Sequence, residues 1–204
     1  MDISEKDTYK TIATTSEVVL YKEKNSKFFG YAFPVTTEVE IKEILERLRK
    51  EHLSARHWCY AYQIGTEKIQ YRTNDDGEPN NSAGTPIYGQ IQSFEVTNVL
   101  VVVVRYFGGI KLGVSGLISA YKIAAYMALE NSEIVKLTID KHFIISFGYA
   151  NMNKVMRIIK EKKLQIISQK MEMDCEIEIA TRKKNVQNLL DTFENLNKIK
   201  LTEI

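Results

Sequence analysis

At 204 residues, 44% apolar and 26% charged, the chain has the composition of a globular protein with one large domain or two small ones, and disorder over its length is excluded. No apolar run approaches the roughly 18 residues that cross a bilayer. The start, MDISEKDTYK, is charged where a secretory leader has its apolar core, so a cytoplasmic protein is expected. Net charge is +2, split as −2 over residues 1–135 and +4 over 136–204; neither half has the dense basic field of a nucleic-acid binder.

Val18 to Tyr21 and Phe28 to Phe33 are two short β-like runs joined by KEKNSK, which predicts a hairpin. Thr37 with Glu40 three residues on is a capping box, and Ile41, Ile44, Leu45 and Leu48 continue it at helical spacing. From His57 to Ile64, Trp58, Tyr60, Tyr62 and Ile64 alternate with His57, Cys59, Ala61 and Gln63, predicting a strand with an aromatic face. A shorter strand, Ile69 to Thr73, leads into the turn-rich NDDGEPNNSAGTP, and a short helix over roughly Ile87 to Phe94 precedes the next strand. Val99 to Val104 is an unbroken aliphatic run, read as a buried strand. Val114, Leu117, Ile118, Tyr121, Ala124, Ala125, Ala128 and Leu129 then predict an amphipathic helix.

A junction is expected over Asn131 to Lys136, with domains at 1–133 and 137–204. The second part reads strand (Leu137 to Tyr149), helix (Met152, Val155, Met156, Ile159), strand (Leu164 to Ser168), strand (Met171 to Ile179), helix (Val186, Leu189, Leu190, Phe193), strand (Lys198 to Glu203). That βαββαβ order is the ferredoxin-like plan. In its third strand, Met171, Met173, Cys175, Ile177 and Ile179 form the expected core face against an acidic stripe of Glu172, Asp174, Glu176 and Glu178. The stripe repels phosphate, which argues against RNA binding by the open face of this sheet.

Three constellations carry chemistry. Between the buried strand and its helix, Gly108, Gly109, Gly113 and Gly116 make a glycine-rich turn with one cation, Lys111, and one hydroxyl, Ser115. Such a turn brings bare N–H groups and the positive end of a helix dipole to one point, a place for an anion. It also serves simply as a tight turn with Ser115 as helix cap, and neither the GxGxxG nor the lysine P-loop pattern is present. NDDGEP sets Asp75, Asp76 and Glu78 within four residues, either a divalent-cation or acid–base cluster or, as Asp76-Gly77 suggests, a plain turn. Arg56 and His57 open the aromatic strand and Arg105 closes the buried one; spacing alone does not bring them together, and no serine or cysteine is tied to His57 by a triad pattern. Trp58, Tyr60 and Tyr62 fit core packing better than base stacking, and Tyr106 and Phe107, beside glycines, have the greater chance of exposure. Cys59 and Cys175, 116 positions apart without a CxxC partner, read as buried thiols.

Together, ARHWCYAY (Ala55 to Tyr62), NDDGEP…SAGTP (Asn74 to Pro86) and VVVRYFGGIKLGVSGL (Val101 to Leu117) resemble the IMPACT/YigZ family, in its bacterial two-domain form. The matching positions are Arg56, His57, Cys59, Asp75, Asp76, Gly77, Glu78, Pro79, Ala83, Gly84, Pro86, Arg105, Gly108, Gly109, Gly113 and Gly116. Trp58 stands where a second histidine is common, Asn80 and Asn81 replace Ala-Gly, and Thr85 replaces a lysine, removing one possible base or metal ligand and one possible phosphate contact. The resemblance implies an α+β protein: an N-terminal IMPACT domain with the fold of the second domain of small-subunit ribosomal protein S-five, then a ferredoxin-like domain similar to one in elongation factor G. The same N-terminal fold occurs in GHMP kinases, where a glycine-rich helix start binds phosphate. Eukaryotic members resemble regulators of translation that compete for the activator of a starvation-sensing kinase.

The expected role is a non-catalytic translation or stress-response regulator binding a ribosome-associated protein or structured RNA. The alternative is a binder of, or enzyme acting on, a phosphorylated small molecule. Site residues are expected at Arg56, His57, Asp75, Asp76, Glu78, Arg105, Tyr106, Phe107, Gly108, Gly109, Lys111, Gly113, Ser115 and Gly116. No catalytic residue, metal ligand, cofactor, membrane contact or disulfide partner is assigned; Mg²⁺ enters only under the alternative.

Overall fold

A computed structural model describes residues 7–204. Met1–Lys6, which belong to the charged start discussed above, lie outside the described residues. The chain divides into two compact units, one of Tyr9–Leu137, the other of Thr138–Ile204 with Asp7 and Thr8. It is a mixed α and β structure with five α-helices and three sheets among the described residues.

In the first unit the strands are β1 (Thr8–Ile12), β2 (Val19–Glu23), β3 (Ser26–Pro34), β4 (His57–Ile64), β5 (Gln70–Asn74) and β6 (Val99–Tyr106), with β7 (Ile134–Thr138) pairing with β1. The helices are α1 (Glu38–Glu51), α2 (Gly84–Ser93) and α3 (Gly113–Glu130). The main sheet is antiparallel, in the order β2-β3-β6-β4-β5. Its middle strand explains the aliphatic run: Val99 to Val104 are fully buried because Val99, Val101 and Val103 pack toward α2 and α3, while Leu100, Val102 and Val104 pack toward α1. Helices on both faces require apolar side chains at every position, not at alternate ones. The β2–β3 connection tightens to two residues, Lys24 and Asn25, both at positive φ, as a two-residue hairpin turn requires. The capping box of α1 forms: Thr37 Oγ1 accepts from Glu40 N at 3.3 Å and Glu40 Oε2 accepts from Thr37 N at 3.0 Å. Two helix boundaries move: α2 starts at Gly84, three residues before the expected start, and Leu112, not Ser115, is the residue at the cap of α3.

The second unit runs β8 (Asp140–Gly148), α4 (Met152–Glu161), β9 (Gln165–Lys170), β10 (Asp174–Arg182), α5 (Val186–Glu194) and β11 (Ile199–Glu203). The antiparallel sheet order β11-β8-β10-β9 is the ferredoxin-like arrangement. Phe143, Ile145, Phe147, Cys175, Ile177 and Ile179 pack against α4 and α5. Two strand readings are corrected. The single strand expected from Leu137 to Tyr149 is β7 and β8, which belong to different sheets. The expected core face of β10 begins only at Cys175: Met171 is exposed and Met173 is 91% exposed, because the strand starts at Asp174. Of the acidic stripe, Glu178 is held on the other face, its Oε1 3.3 Å from His142 Nδ1 and its Oε2 accepting from Ser168 Oγ at 3.0 Å. No described helix is long and apolar enough to cross a membrane.

Candidate functional site

The antiparallel register of β4 on β6 places His57 directly opposite Arg105. The two ends that sequence spacing left apart are therefore neighbours. The chain then returns from β5 over this edge through a tight turn, in which Asp76 (φ 42°) and Gly77 (φ 85°) are both left-handed and Glu78 N donates to Asp75 O at 2.9 Å. Asn74 Oδ1 fixes the turn by accepting from Asp76 N at 2.7 Å.

The turn sends its three carboxylates in three directions. Asp75 reaches the start of α2, where Oδ1 accepts from Ala83 N and Gly84 N at 2.9 and 2.8 Å and Oδ2 accepts from Asn81 N at 2.9 Å. Since α2 has only Ala83 at its N-cap, Asp75 caps it from a distance. Asp76 Oδ2 accepts from Trp58 N at 2.7 Å, and its Oδ1 lies 3.5 Å from Arg49. Glu78 turns inward. The cation-binding reading of the trio loses its geometry: no group of three or more His, Cys, Asp or Glu suited to a metal exists among the described residues.

Glu78 heads a buried polar chain. Its Oε1 accepts from Arg105 Nη1 at 2.6 Å and from the Tyr121 hydroxyl at 2.8 Å. Cys59 Sγ lies 3.3 Å from the Tyr121 oxygen and 3.0 Å from Asp75 O. Burial pushes the ionisation of both Cys59 and Tyr121 upward, so both keep their protons and act as donors. His57 Nδ1 donates to Asp76 O at 2.8 Å, since a carbonyl only accepts, and its Nε2 faces Glu78 Oε1 at 3.8 Å, beyond hydrogen-bond reach. Arg105 is 5% exposed, its guanidinium carbon 5.4 Å from the Phe28 ring centre and 5.6 Å from that of Phe107, and its Nε has no hydrogen-bond partner.

Above this chain opens a cleft of about 490 Å³. Arg56, His57, Glu78, Pro79 and Arg105 line it together with Phe107, Lys111, Leu112, Gly113, Val114 and Leu117 of the glycine-rich turn and the start of α3. The glycine-rich turn is pinned where it leaves β6. Gly108 N donates to Ser26 Oγ at 3.1 Å, and a Cβ on Gly108 would lie 2.1 Å from the backbone of Asn25, so only glycine fits against the β2–β3 hairpin.

Of the expected site residues, Arg56, His57, Glu78, Arg105, Phe107, Lys111 and Gly113 thus meet at one cleft. Asp75 and Asp76 are tied to backbone N–H groups, and Gly108 serves the hairpin contact. Tyr106 faces the α1 side, its hydroxyl 2.9 Å from His52 Nδ1. Gly109, Ser115 and Gly116 are not among the residues lining the cleft. Pro79, Leu112, Val114 and Leu117 complete the walls, and Tyr121 and Cys59 complete the polar chain; sequence reasoning had given Leu117 and Tyr121 only a core role. The available signal was the surplus of apolar positions on α3, of which Val114 and Ile118 remain exposed.

A sheet enclosed by one helix on one face and two on the other, with a buried Glu–Arg pair under a cleft at a glycine-rich helix start, followed by a ferredoxin-like unit, defines a two-unit α+β protein class. The Impact N-terminal domain matches residues 24–129, and the chain belongs to the IMPACT family. It is 34% identical to the IMPACT family member YvyE of Bacillus subtilis over 155 residues, 76% of this chain and 71% of that protein. It is 31% identical to the IMPACT family member YigZ of Escherichia coli, over 71% of this chain and 72% of that one. A crystal structure described as that of a hypothetical protein is similar over 98% of both chains, with a TM-score of 0.73 at 25% identity.

Proposed function

We propose that this chain is a non-catalytic cytoplasmic regulator of translation or of the stress response, and that it binds a ribosome-associated protein through the cleft and its rim. The observation that carries the reading is a patch of exposed large apolar side chains on the glycine-rich turn and the first turns of α3: Phe107, Ile110, Val114 and Ile118. Monomers seldom leave such side chains adjacent on one short segment, and here they border the cations Arg56 and Lys111, a mixture suited to a protein partner. The family resemblance supplies the translation context. Asp75 and Asp76 accept from backbone N–H groups, and Glu78 Oε1 accepts from Arg105 and Tyr121, so the turn's carboxylates serve to hold the structure under the cleft.

The test is sedimentation of the full chain with purified ribosomes at low and high salt, beside an Ile110→Ser, Ile118→Ser variant. Co-migration that the variant loses supports the reading. Co-migration that the variant keeps but that collapses steeply with salt points instead to structured RNA contacted by charge. A chain that stays at the top of the gradient at low salt removes the ribosomal role.

A further inference from the structure

The start of α3 is a concentrated group of unmet donors. No side chain caps it, its first turn holds no acidic residue, and Gly113 and Val114 at that start line the cleft. An 18-residue helix with free N-terminal N–H groups presents about half a positive charge there. The end of β6 adds an independent observation. Arg105 is 95% buried by its 5% exposure, lines the same cleft, and has an Nε–H without an acceptor. Buried donors in native proteins are almost always paired, so this one calls for an acceptor brought by a ligand.

The surroundings define that acceptor. Arg56, Arg105 and Lys111 set three cations against one carboxylate, Glu78, whose Oε1 is already engaged by Arg105 and Tyr121. Donors from separate elements, β6 and the start of α3, suit a tetrahedral oxyanion, with oxygens pointing several ways, better than a planar carboxylate. The rest of the lining is apolar: Phe107, Leu112, Val114 and Leu117. The cleft's volume falls in the range of small-molecule sites, about 300–1,000 Å³.

We infer that the cleft binds a small molecule carrying a phosphoryl group on an aromatic body. The phosphoryl oxygens accept from the first N–H groups of α3, from Lys111 and from Arg105 Nε, and the aromatic body lies along Phe107 and Val114. The inference goes beyond the regulatory role and does not need it, because Ile110 and Ile118, which test the partner surface, are not part of the cleft lining.

The experiment is an NMR titration of the ¹⁵N-labelled full chain with inorganic phosphate, phenyl phosphate, phenol and, at matched ionic strength, sodium chloride. Saturable shifts at the Gly113, Val114 and Ser115 amides are expected with both phosphates, with phenyl phosphate binding about tenfold more tightly. Lys111 is exposed, so Lys111→Glu keeps the fold and weakens both by about tenfold or more, whereas Lys122→Glu, in the middle of α3, leaves them unchanged. Shifts no larger than those with chloride, phenol binding as well as phenyl phosphate, or equal affinity in the Lys111 variant would each overturn the inference. The Ile110→Ser, Ile118→Ser variant keeps phosphate binding whether or not it binds ribosomes, so failure of either reading is seen separately.

Discussion

Replacing Glu78 by glutamine tests the buried pair at the base of the cleft most directly. The Glu78 and Arg105 side chains are 4% and 6% exposed, with Oε1 and Nη1 2.6 Å apart. Removing the negative charge leaves a largely buried guanidinium without its carboxylate, and breaking such a pair costs about 3–5 kcal/mol. Glutamine keeps an acceptor for Tyr121 and Arg105, which sets the expectation at the lower end, about 3 kcal/mol. With a urea slope of about 1.5 kcal/mol/M for a unit of this size, the midpoint falls by about 2 M. Trp58 is the chain's single tryptophan and belongs to the first unit, its Nε1 donating to Leu48 O at 3.3 Å, so its fluorescence reports that unit's transition alone. Arg105→Met strands Glu78 in the same way. Glu78→Leu alone strands Arg105 likewise; combining Glu78→Leu with Arg105→Met removes both charges, and the double variant is expected to be more stable than either of these two single ones. A Glu78→Gln midpoint within about 0.3 M of the parent, or a double variant as unstable as the two losses added, would refute the account of a mutually dependent buried pair.

Asp75→Ala strips the acceptor from three backbone N–H groups at the start of α2 and is expected to cost about 2 kcal/mol in the same urea assay, with Asp75→Asn intermediate. Added Mg²⁺ is expected to leave the melting temperature of the parent unchanged, because both Asp75 oxygens are already occupied; a rise that Asp75→Ala abolishes would restore the cation reading. His52 lies between the Tyr31 hydroxyl, 2.6 Å from Nε2, and the Tyr106 hydroxyl, 2.9 Å from Nδ1, and burial lowers its pKa from 6.5 despite the opposing charge of Glu51. The unfolded chain therefore binds a proton first as pH falls, so this contribution is intact above about pH 6.5 and stability declines below it. His52→Gln is expected to flatten the stability profile below about pH 6.5, and an unchanged slope would show that His52 does not carry it.

The parts of the fold legible in the sequence are those whose cause is local or whose burial is total. Thr37 and Glu40 cap α1 through bonds within four residues, and Val99 to Val104 declare β6 because two helical layers leave it no polar face. The errors arise where a distant partner decides. Nothing in KLTIDKHFIISFGY marks a break, since no proline interrupts it and its one glycine comes late. The break after Thr138 exists because β7 pairs with β1 while β8 lies between β11 and β10. Met171 and Met173 continue the alternation of β10 in sequence, but the ladder begins at Asp174, so the pattern outruns the hydrogen bonds that give it meaning.

The site shows the same division in sharper form. Asp75, Asp76 and Glu78 are adjacent in sequence and diverge in space, because a turn with two left-handed residues points successive side chains away from one another. Arg56 and His57 are far from Arg105 in sequence and converge with it, because β4 runs antiparallel to β6 with His57 in register with Arg105. Closeness along the chain thus left a cation cluster open beside a plain turn, and the turn keeps the three carboxylates apart, while the cations of the cleft meet through a strand pairing that spacing does not reveal. Tyr121 shows why the polar chain beneath escaped: its ring is core-facing at helical spacing and packs edge-on to Phe28 at 5.2 Å, and only its hydroxyl reaches Glu78. A residue that satisfies the core with its ring and a carboxylate with its oxygen reads from sequence as core alone. The cleft is therefore built from long-range pairings around one locally legible feature, the glycine-rich start of α3, and that feature takes on a chemical identity only when Arg105 arrives from the neighbouring strand.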